Sequence, residues 1–393
     1  MIIKSFGKEY LKICGAGFFL YFSYALSRSP IIPLYAESLG ASSQMVGLAV
    51  AASTITGIFV KLPAGTISDI IGRRTVLIIG ALFFACAPFL YPVVSSVIIL
   101  ILIRLIHGNA TAIFGPTISA SISDIADKNS RGIQLGLFSS VQGIGQTLGA
   151  LLGGFLISYQ SFGFTFLTSG FIGLAGLLLV LLLQKRDEKS ERRDLIKKFI
   201  IGIKEVASNK NIVITSLTVA SQMFVVGAYN AFLPLYAKDI VKIEAWQIGL
   251  VFGIQTTTTL LARPLMGRFS DKTGRKPIIL TALLFNSSLI ALLSLIKSFE
   301  LLLVFGVLWG LGTSVISSVA VAFITDLTKQ KKFGAAHGTY GTIFDIGEAL
   351  GPIAAGFLVA ALSYNWMFIL VGLQLLLITV LFSKYKIGVI NED

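Results

Sequence analysis

Asp345 and Glu348 stand three residues apart in a stretch, 334–361, that holds no other formally charged side chain. On a helix this spacing puts both carboxyls on one face. Two carboxyls held close together resist joint ionisation, so the pair can carry one exchangeable proton. A static ion pair is the competing reading, with Arg28 or Arg104, each inside its own apolar stretch, as the basic partner. His107 follows Arg104 by three residues and can join a proton relay or serve as a hydrogen-bonded packing group.

A second constellation is written twice. Gly65, Asp69, Gly72, Arg73 and Arg74 recur 202 positions later as Gly267, Asp271, Gly274, Arg275 and Lys276, and Lys61 and Arg263 share the offset. In each copy an acid precedes an arginine by four residues at the end of an apolar stretch. The two can pair, or the carboxylate can sit against a helix N-terminus. The glycines permit a tight turn and close helix approach. Two readings stand. One is an exposed anchor, its ion pairs worth about 0.2–1 kcal/mol each. The other is a latch desolvated between two halves, whose rupture costs roughly 3–5 kcal/mol.

Other chemistries lack their residues. Neither Gly-x-x-x-x-Gly-Lys-(Ser/Thr) nor His-Glu-x-x-His occurs, and the two histidines, His107 and His337, are far apart. No metal site, no cofactor and no enzymatic activity are expected.

The elements that must position these groups are read from the solvent they need. Apolar residues make up 55% of the 393 positions and charged ones 13%, with a mean hydropathy of +0.85; a soluble domain carries about 25% charge. A bilayer core needs roughly 20 apolar residues per helix. Twelve such stretches run at about 11–35, 45–65, 75–94, 97–121, 133–158, 164–184, 211–236, 246–265, 277–297, 300–325, 334–361 and 365–384. They are too long for barrel strands. The first, although preceded by Lys4, Lys8 and Lys12, is too long for a signal peptide and lacks a clear cleavage site. Cys14 and Cys86 fall in the first and third stretches and read as lone buried thiols.

The net charge of +13 has a topological meaning. With a cytoplasmic N-terminus, 25 of the 32 Lys and Arg residues fall in cytoplasmic segments. Lys238, Lys242 and Lys297 lie outside, while Arg28, Lys61, Arg104 and Arg263 fall in or at the ends of spans. This bias predicts a multi-pass protein of the cell membrane with both termini in the cytoplasm, and removes the case for nucleic acid. The densest charge run, 185–210, predicts a connector between six-span halves, 1–184 and 211–393. Within it Leu195, Phe199, Ile200 and Ile203 recur beside lysines at the spacing of an amphipathic surface helix.

The halves echo one another further. Pro33-Leu34-Tyr35-Ala36 returns as Pro234-Leu235-Tyr236-Ala237, Asp124 as Asp326, and Gly145 and Gly149 as Gly347 and Gly351. Asp345 and Glu348 have no acidic counterparts, since Gly143 and Gln146 occupy those positions. Parallel six-helix repeats are an architecture of secondary transporters.

Over nearly its whole length the chain resembles the major facilitator superfamily. The doubled loop looks like that family's signature between its second and third helices, echoed between the eighth and ninth. Arg104 to Gly108 resembles its Arg-x-x-x-Gly motif. Gly145, Gly149, Gly153 and Gly154 resemble the glycine motif of its proton-driven exporters, although Ala150 stands where that motif has proline and Pro352 follows Gly351 instead. The resemblance implies an all-α membrane fold of twelve helices in two six-helix bundles, working by alternating access.

Polar residues sort the spans. The third, sixth, ninth and twelfth are oiliest and should face lipid. Asn109, Gln142, Gln146, Gln222, Tyr229, Asn230, Gln255 and Trp309 are candidates for a cavity wall, each also readable as an interhelical hydrogen-bonding group. Gly145, Gly149, Gly153 and Gly351 read as helix-packing glycines or as a moving interface. The leading expectation is proton-coupled export of a small organic molecule by a monomer in the lipid bilayer. Proton-coupled uptake of an organic anion is the alternative, and a ligand sensor that moves nothing is the reading from another class.

Overall fold

The computed structural model describes residues 7–127, 130–185, 209–328 and 333–386. The connector positions Leu195, Phe199, Ile200 and Ile203 lie outside the described residues. In the first half the chain forms α1 (Lys8–Leu26), α2 (Ile31–Ser38), α3 (Ser43–Ile71), α4 (Arg73–Cys86), α5 (Val97–Ile125), α6 (Arg131–Tyr159) and α7 (Phe162–Leu181). In the second it forms α8 (Lys210–Tyr236), α9 (Ala245–Thr273), α10 (Arg275–Leu292), α11 (Phe299–Val315), α12 (Val321–Asp326), α13 (Phe333–Ala361) and α14 (Tyr364–Lys384). The described residues contain no strand. Lipid offers the backbone no hydrogen bonds, so a chain this apolar must satisfy its own amides within each segment.

Ten of these helical stretches are long and apolar enough to cross a membrane. Two more complete the expected twelve. α1 carries Lys8, Glu9 and Lys12, and α9 carries Gln255, Thr256 to Thr259, Arg263 and Arg268, which lower their hydropathy. Span one differs from the continuous helix expected at 11–35, because it breaks between α1 and α2 at Ser27–Pro30. Proline has no N–H to donate and disfavours helix in the residue before it. Span ten is interrupted too, by a π turn at Ile316–Ala320 between α11 and α12.

Two compact units divide the chain, one of Met1–Ala41, Ala52–Arg192 and Glu244–Gly253, the other of Ser42–Ala51, Arg193–Ile243 and Ile254–Asp393. The same helix pairs pack in each. α1 lies on α6 and α7, as α8 lies on α13 and α14; α4 lies on α5 and α7, as α10 lies on α11 and α14. The repeat extends to the caps. Ser96 and Ser161 accept hydrogen bonds from the first turns of α5 and α7, and Ser298 and Ser363 do so for α11 and α14. Tyr35 donates to the Tyr91 carbonyl at 3.0 Å, and Tyr236 to the Ile296 carbonyl at 2.8 Å, which accounts for the repeated Pro-Leu-Tyr-Ala.

Glycines set the closest approaches. A methyl group on Gly149 would lie 2.6 Å from the Phe22 carbonyl oxygen of α1, and one on Gly351 would collide with the Phe224 carbonyl of α8. Gly145 and Gly153 meet α1 in the same way, at the Phe18 and Leu26 carbonyls. Large apolar side chains are exposed along α7, at Phe171 and Leu178, and along α14, at Leu373 and Leu377. One expectation is corrected. Cys14 is half-buried but Cys86 is exposed, because it shares the outward face of α4 with Ile79 and Leu82 at helical spacing.

Candidate functional site

The doubled loop folds into two matching clamps. Gly72 and Gly274 adopt φ of 94° and 91°, a region open to glycine, and so turn the chain from α3 into α4 and from α9 into α10. Each turn delivers an arginine to the first position of the next helix. Arg73 pairs with Asp69 at the end of α3, donates from Nε to Asp124 of α5 at 3.0 Å, and donates from Nη1 to Ser68 at 2.5 Å. Arg275 pairs with Asp271 at 2.5 Å, Asp326 at 3.0 Å and Ser270 at 2.6 Å. The next residue ties in a fourth helix, since Arg74 donates to the Leu181 carbonyl of α7 and Lys276 to the Ser383 carbonyl of α14. Gly65 and Gly267 supply carbonyls that accept from Ser68 and Ser270.

These partners belong to the same unit as their arginine. The aspartates are between a third and three-fifths exposed. Each pair is therefore worth about 0.2–1 kcal/mol, and the clamp acts through its number of bonds and their geometry. A cavity of about 250 Å³ opens beside the first clamp, lined in part by Glu9, Arg73, Arg74, Asp124 and Gln184.

A buried polar chain runs through the first unit. Arg104 is fully buried and donates to Ser53 Oγ at 2.5 Å. It also interacts with the hydroxyl of Tyr91, which lies 2.9 Å from Nδ1 of the buried His107. His107 meets the edge of Tyr24 at 5.0 Å, and the Arg28 guanidinium lies 5.7 Å from the same Tyr24 ring. Three of the predicted residues, Arg28, Arg104 and His107, thus share one network through two tyrosines.

The second unit holds an aromatic counterpart. Tyr229 donates to Gln255 Oε1 at 2.9 Å and packs against Trp309 at 5.2 Å, and Phe305 stacks on both rings. Gln255 occupies the place of Ser53, and Trp309 the place of His107, at the same offset of 202. Gln222 lies two turns before Tyr229 on α8 and is fully buried. Neither atom of its amide has a hydrogen-bond partner among the described residues, and the Trp309 indole N–H also lacks one.

Asp345 is almost wholly buried and Glu348 half-buried, one turn apart on α13. The Glu348 carbonyl abuts Gly227 of α8, so this pair stands at a close contact between the two helices. Asn230, Gln142 and Gln146 are half-buried. Asn109 turns its amide onto the Leu105 and Ile106 carbonyls of its own helix. His337 bonds Thr325 at 3.1 Å.

Sequence reasoning matched Asp124 with Asp326 as a repeat but did not make them partners of the arginines, and it passed over Ser68, Ser270 and Tyr91. The shared offset was the available signal for the first four. Tyr91 lies in the 3-10 helix Ala87–Val93 that follows α4 and carried none.

Comparison with known proteins agrees with this geometry. The profile of the Major Facilitator Superfamily matches residues 13–254 and 215–387. The chain belongs to the major facilitator superfamily. Its similarity to an uncharacterised member of this superfamily from Methanocaldococcus jannaschii is 26% identity over 344 residues, 86% of this chain and 88% of that protein. Multidrug resistance protein 1 of Bacillus subtilis is also 26% identical, over 330 residues and 84% of each chain. A crystal structure of a mutant form of the nucleoside transporter NupG superposes with a TM-score of 0.81 over 96% of this chain and 99% of that one. Its identity of 14% speaks for the superfamily fold alone. The chain is a membrane transporter and not an enzyme.

Proposed function

We propose that this superfamily member exports small organic molecules, drugs among them, in exchange for protons by alternating access. The match to a multidrug resistance protein over 84% of each chain supports the direction and the cargo class. The clamps support the mechanics. Each clamp ties four helix ends of its own unit together, so each unit can move as a rigid body between inward-open and outward-open states. Asp345 and Glu348 are the proton carriers in this reading. They are membrane-embedded acids, found in one half only, at a close helix contact. Arg104 and His107 are hydrogen-bonded through Tyr91, and Arg28 joins them through the Tyr24 ring, in a network that can shift with the charge state of a cargo or a proton. The positive-inside bias supports a plasma-membrane protein with both termini and both clamps on its cytoplasmic side.

The test is flux in proteoliposomes loaded with ethidium under an imposed pH gradient. Export predicts ethidium movement against its gradient that collapses with a protonophore. Binding without flux would favour a sensor instead. Flux of an organic anion inward with protons would favour uptake.

A further inference from the structure

Arg263 is a cation that the clamps and the acidic pair leave unused. It sits four residues past the middle of α9, or about 6 Å at 1.5 Å per residue. A bilayer core about 30 Å thick takes roughly 20 residues of helix, so the residue lies inside the span 246–265 toward its inner end. Charges at that depth are costly and by default functional.

Its side chain points along a polar seam inside the second unit. Gln255, Thr259 and Arg263 follow one another at four-residue intervals on α9. Gln255 accepts from Tyr229, Thr259 lies 3.2 Å from Thr313 Oγ1, and Arg263 donates from Nε to Ser317 Oγ at 3.0 Å. The outward residues of these turns, Leu261 and Leu265, are 68% and 61% exposed and occupy the other face.

Ser317 belongs to the π turn Ile316–Ala320. There the Ser317 and Ser318 hydroxyls donate to the Ser314 carbonyl at 3.0 and 2.8 Å. Single π turns concentrate at functional sites. In the first half the position matching Ser318 is Pro116, inside α5, which runs unbroken as an α-helix from Val97 to Ile125, so the π turn has no counterpart there. Among the described residues Arg263 forms no ion pair, and its hydrogen bond goes to a neutral hydroxyl through Nε. Both terminal nitrogens of the guanidinium keep their donors, in the fork that matches a carboxylate.

We propose that Arg263, steadied by Ser317 on the π turn, binds the carboxylate of anionic or zwitterionic cargo. The inference rests on the export reading and narrows its cargo class.

The experiment uses the full chain in lipid nanodiscs with three probes. These are norfloxacin, which carries a carboxylate, its ethyl ester, which does not, and the cation ethidium. The wild type should bind norfloxacin more tightly than the ester. Arg263→Gln should weaken norfloxacin binding about tenfold or more, as loss of a charge-assisted bond implies. Ester and ethidium binding should stay within about twofold, since neither carries the anion. Arg263→Lys, which keeps the charge, should retain part of the preference and guards against a folding defect. Three results would overturn the inference: no norfloxacin binding by the wild type, equal binding of acid and ester, or equal loss for all probes in Arg263→Gln. Flux measured in parallel separates the two claims. Carboxylate-dependent binding without export would sink only the export reading, and ethidium export without acid-over-ester preference would sink only this one.

Discussion

Arg73 reaches Asp124 through Nε at 3.0 Å, and 202 residues later Arg275 reaches Asp326 through the same atom at the same distance. The duplicated loop therefore repeats a side-chain geometry as well as a sequence, joining helix ends distant in the chain but within one unit. An exposed pair contributes little to stability. Its effect should be seen in rate, where a less rigid unit moves less cooperatively.

Asp124→Asn and Asp326→Asn are expected to insert normally and to slow turnover. A loss of about 0.5–1 kcal/mol corresponds to roughly a twofold to fivefold slower rate. Asp69→Asn should act in the same direction. Initial rates of ethidium efflux, normalised to protein in the membrane, provide the check. Unchanged rates in all three variants would leave the clamps as topological anchors.

The membrane-spanning helices and the repeat were legible because bilayer crossing forces long apolar runs and duplication leaves a fixed offset. The clamp was half legible. Asp69 and Arg73 are four apart in sequence, whereas Asp124 comes from a distant helix whose approach only packing decides. The break in span one was written in Ser27-Arg28-Ser29-Pro30, yet the apolar runs on either side read together as one span. The π turn at Ile316–Ala320 contains no proline or glycine, so composition gave no sign of it. The exposure of Cys86 depended on which face of α4 meets its neighbours, which a generally oily helix does not encode.

Asp345→Asn and Glu348→Gln test proton coupling. If the two acids share the exchanged proton, each variant should lose pH-driven ethidium accumulation in proteoliposomes. Exchange of ethidium down its own gradient should persist in at least one of them. Full pH-driven accumulation in both variants would defeat the proton role and leave the acids as static partners of a buried cation.

Close helix contact can be tested on a single helix. Gly149→Ala places a methyl 2.6 Å from the Phe22 carbonyl and 2.7 Å from Ala25 Cβ, so α1 must shift. Overpacking of this kind costs about 1–3 kcal/mol and should lower the unfolding temperature in detergent. Gly132→Ala, also on α6, meets nothing within 4 Å and should be neutral or slightly stabilising. Equal behaviour of the two variants would mean that α6 and α1 are less tightly packed than this.

Gln222 makes the sharpest contrast between stability and function. Its amide is fully buried with neither atom hydrogen-bonded among the described residues, two turns from the Tyr229–Gln255 pair. An unsatisfied buried polar group costs about 1–3 kcal/mol, so Gln222→Leu, close in size, should raise the unfolding temperature. A costly group is tolerated where function needs it, and the same variant should weaken ethidium binding or efflux. Higher stability with unimpaired efflux would remove Gln222 from the cargo site. Lower stability would show that the amide is satisfied in the resting protein, and that its role is structural.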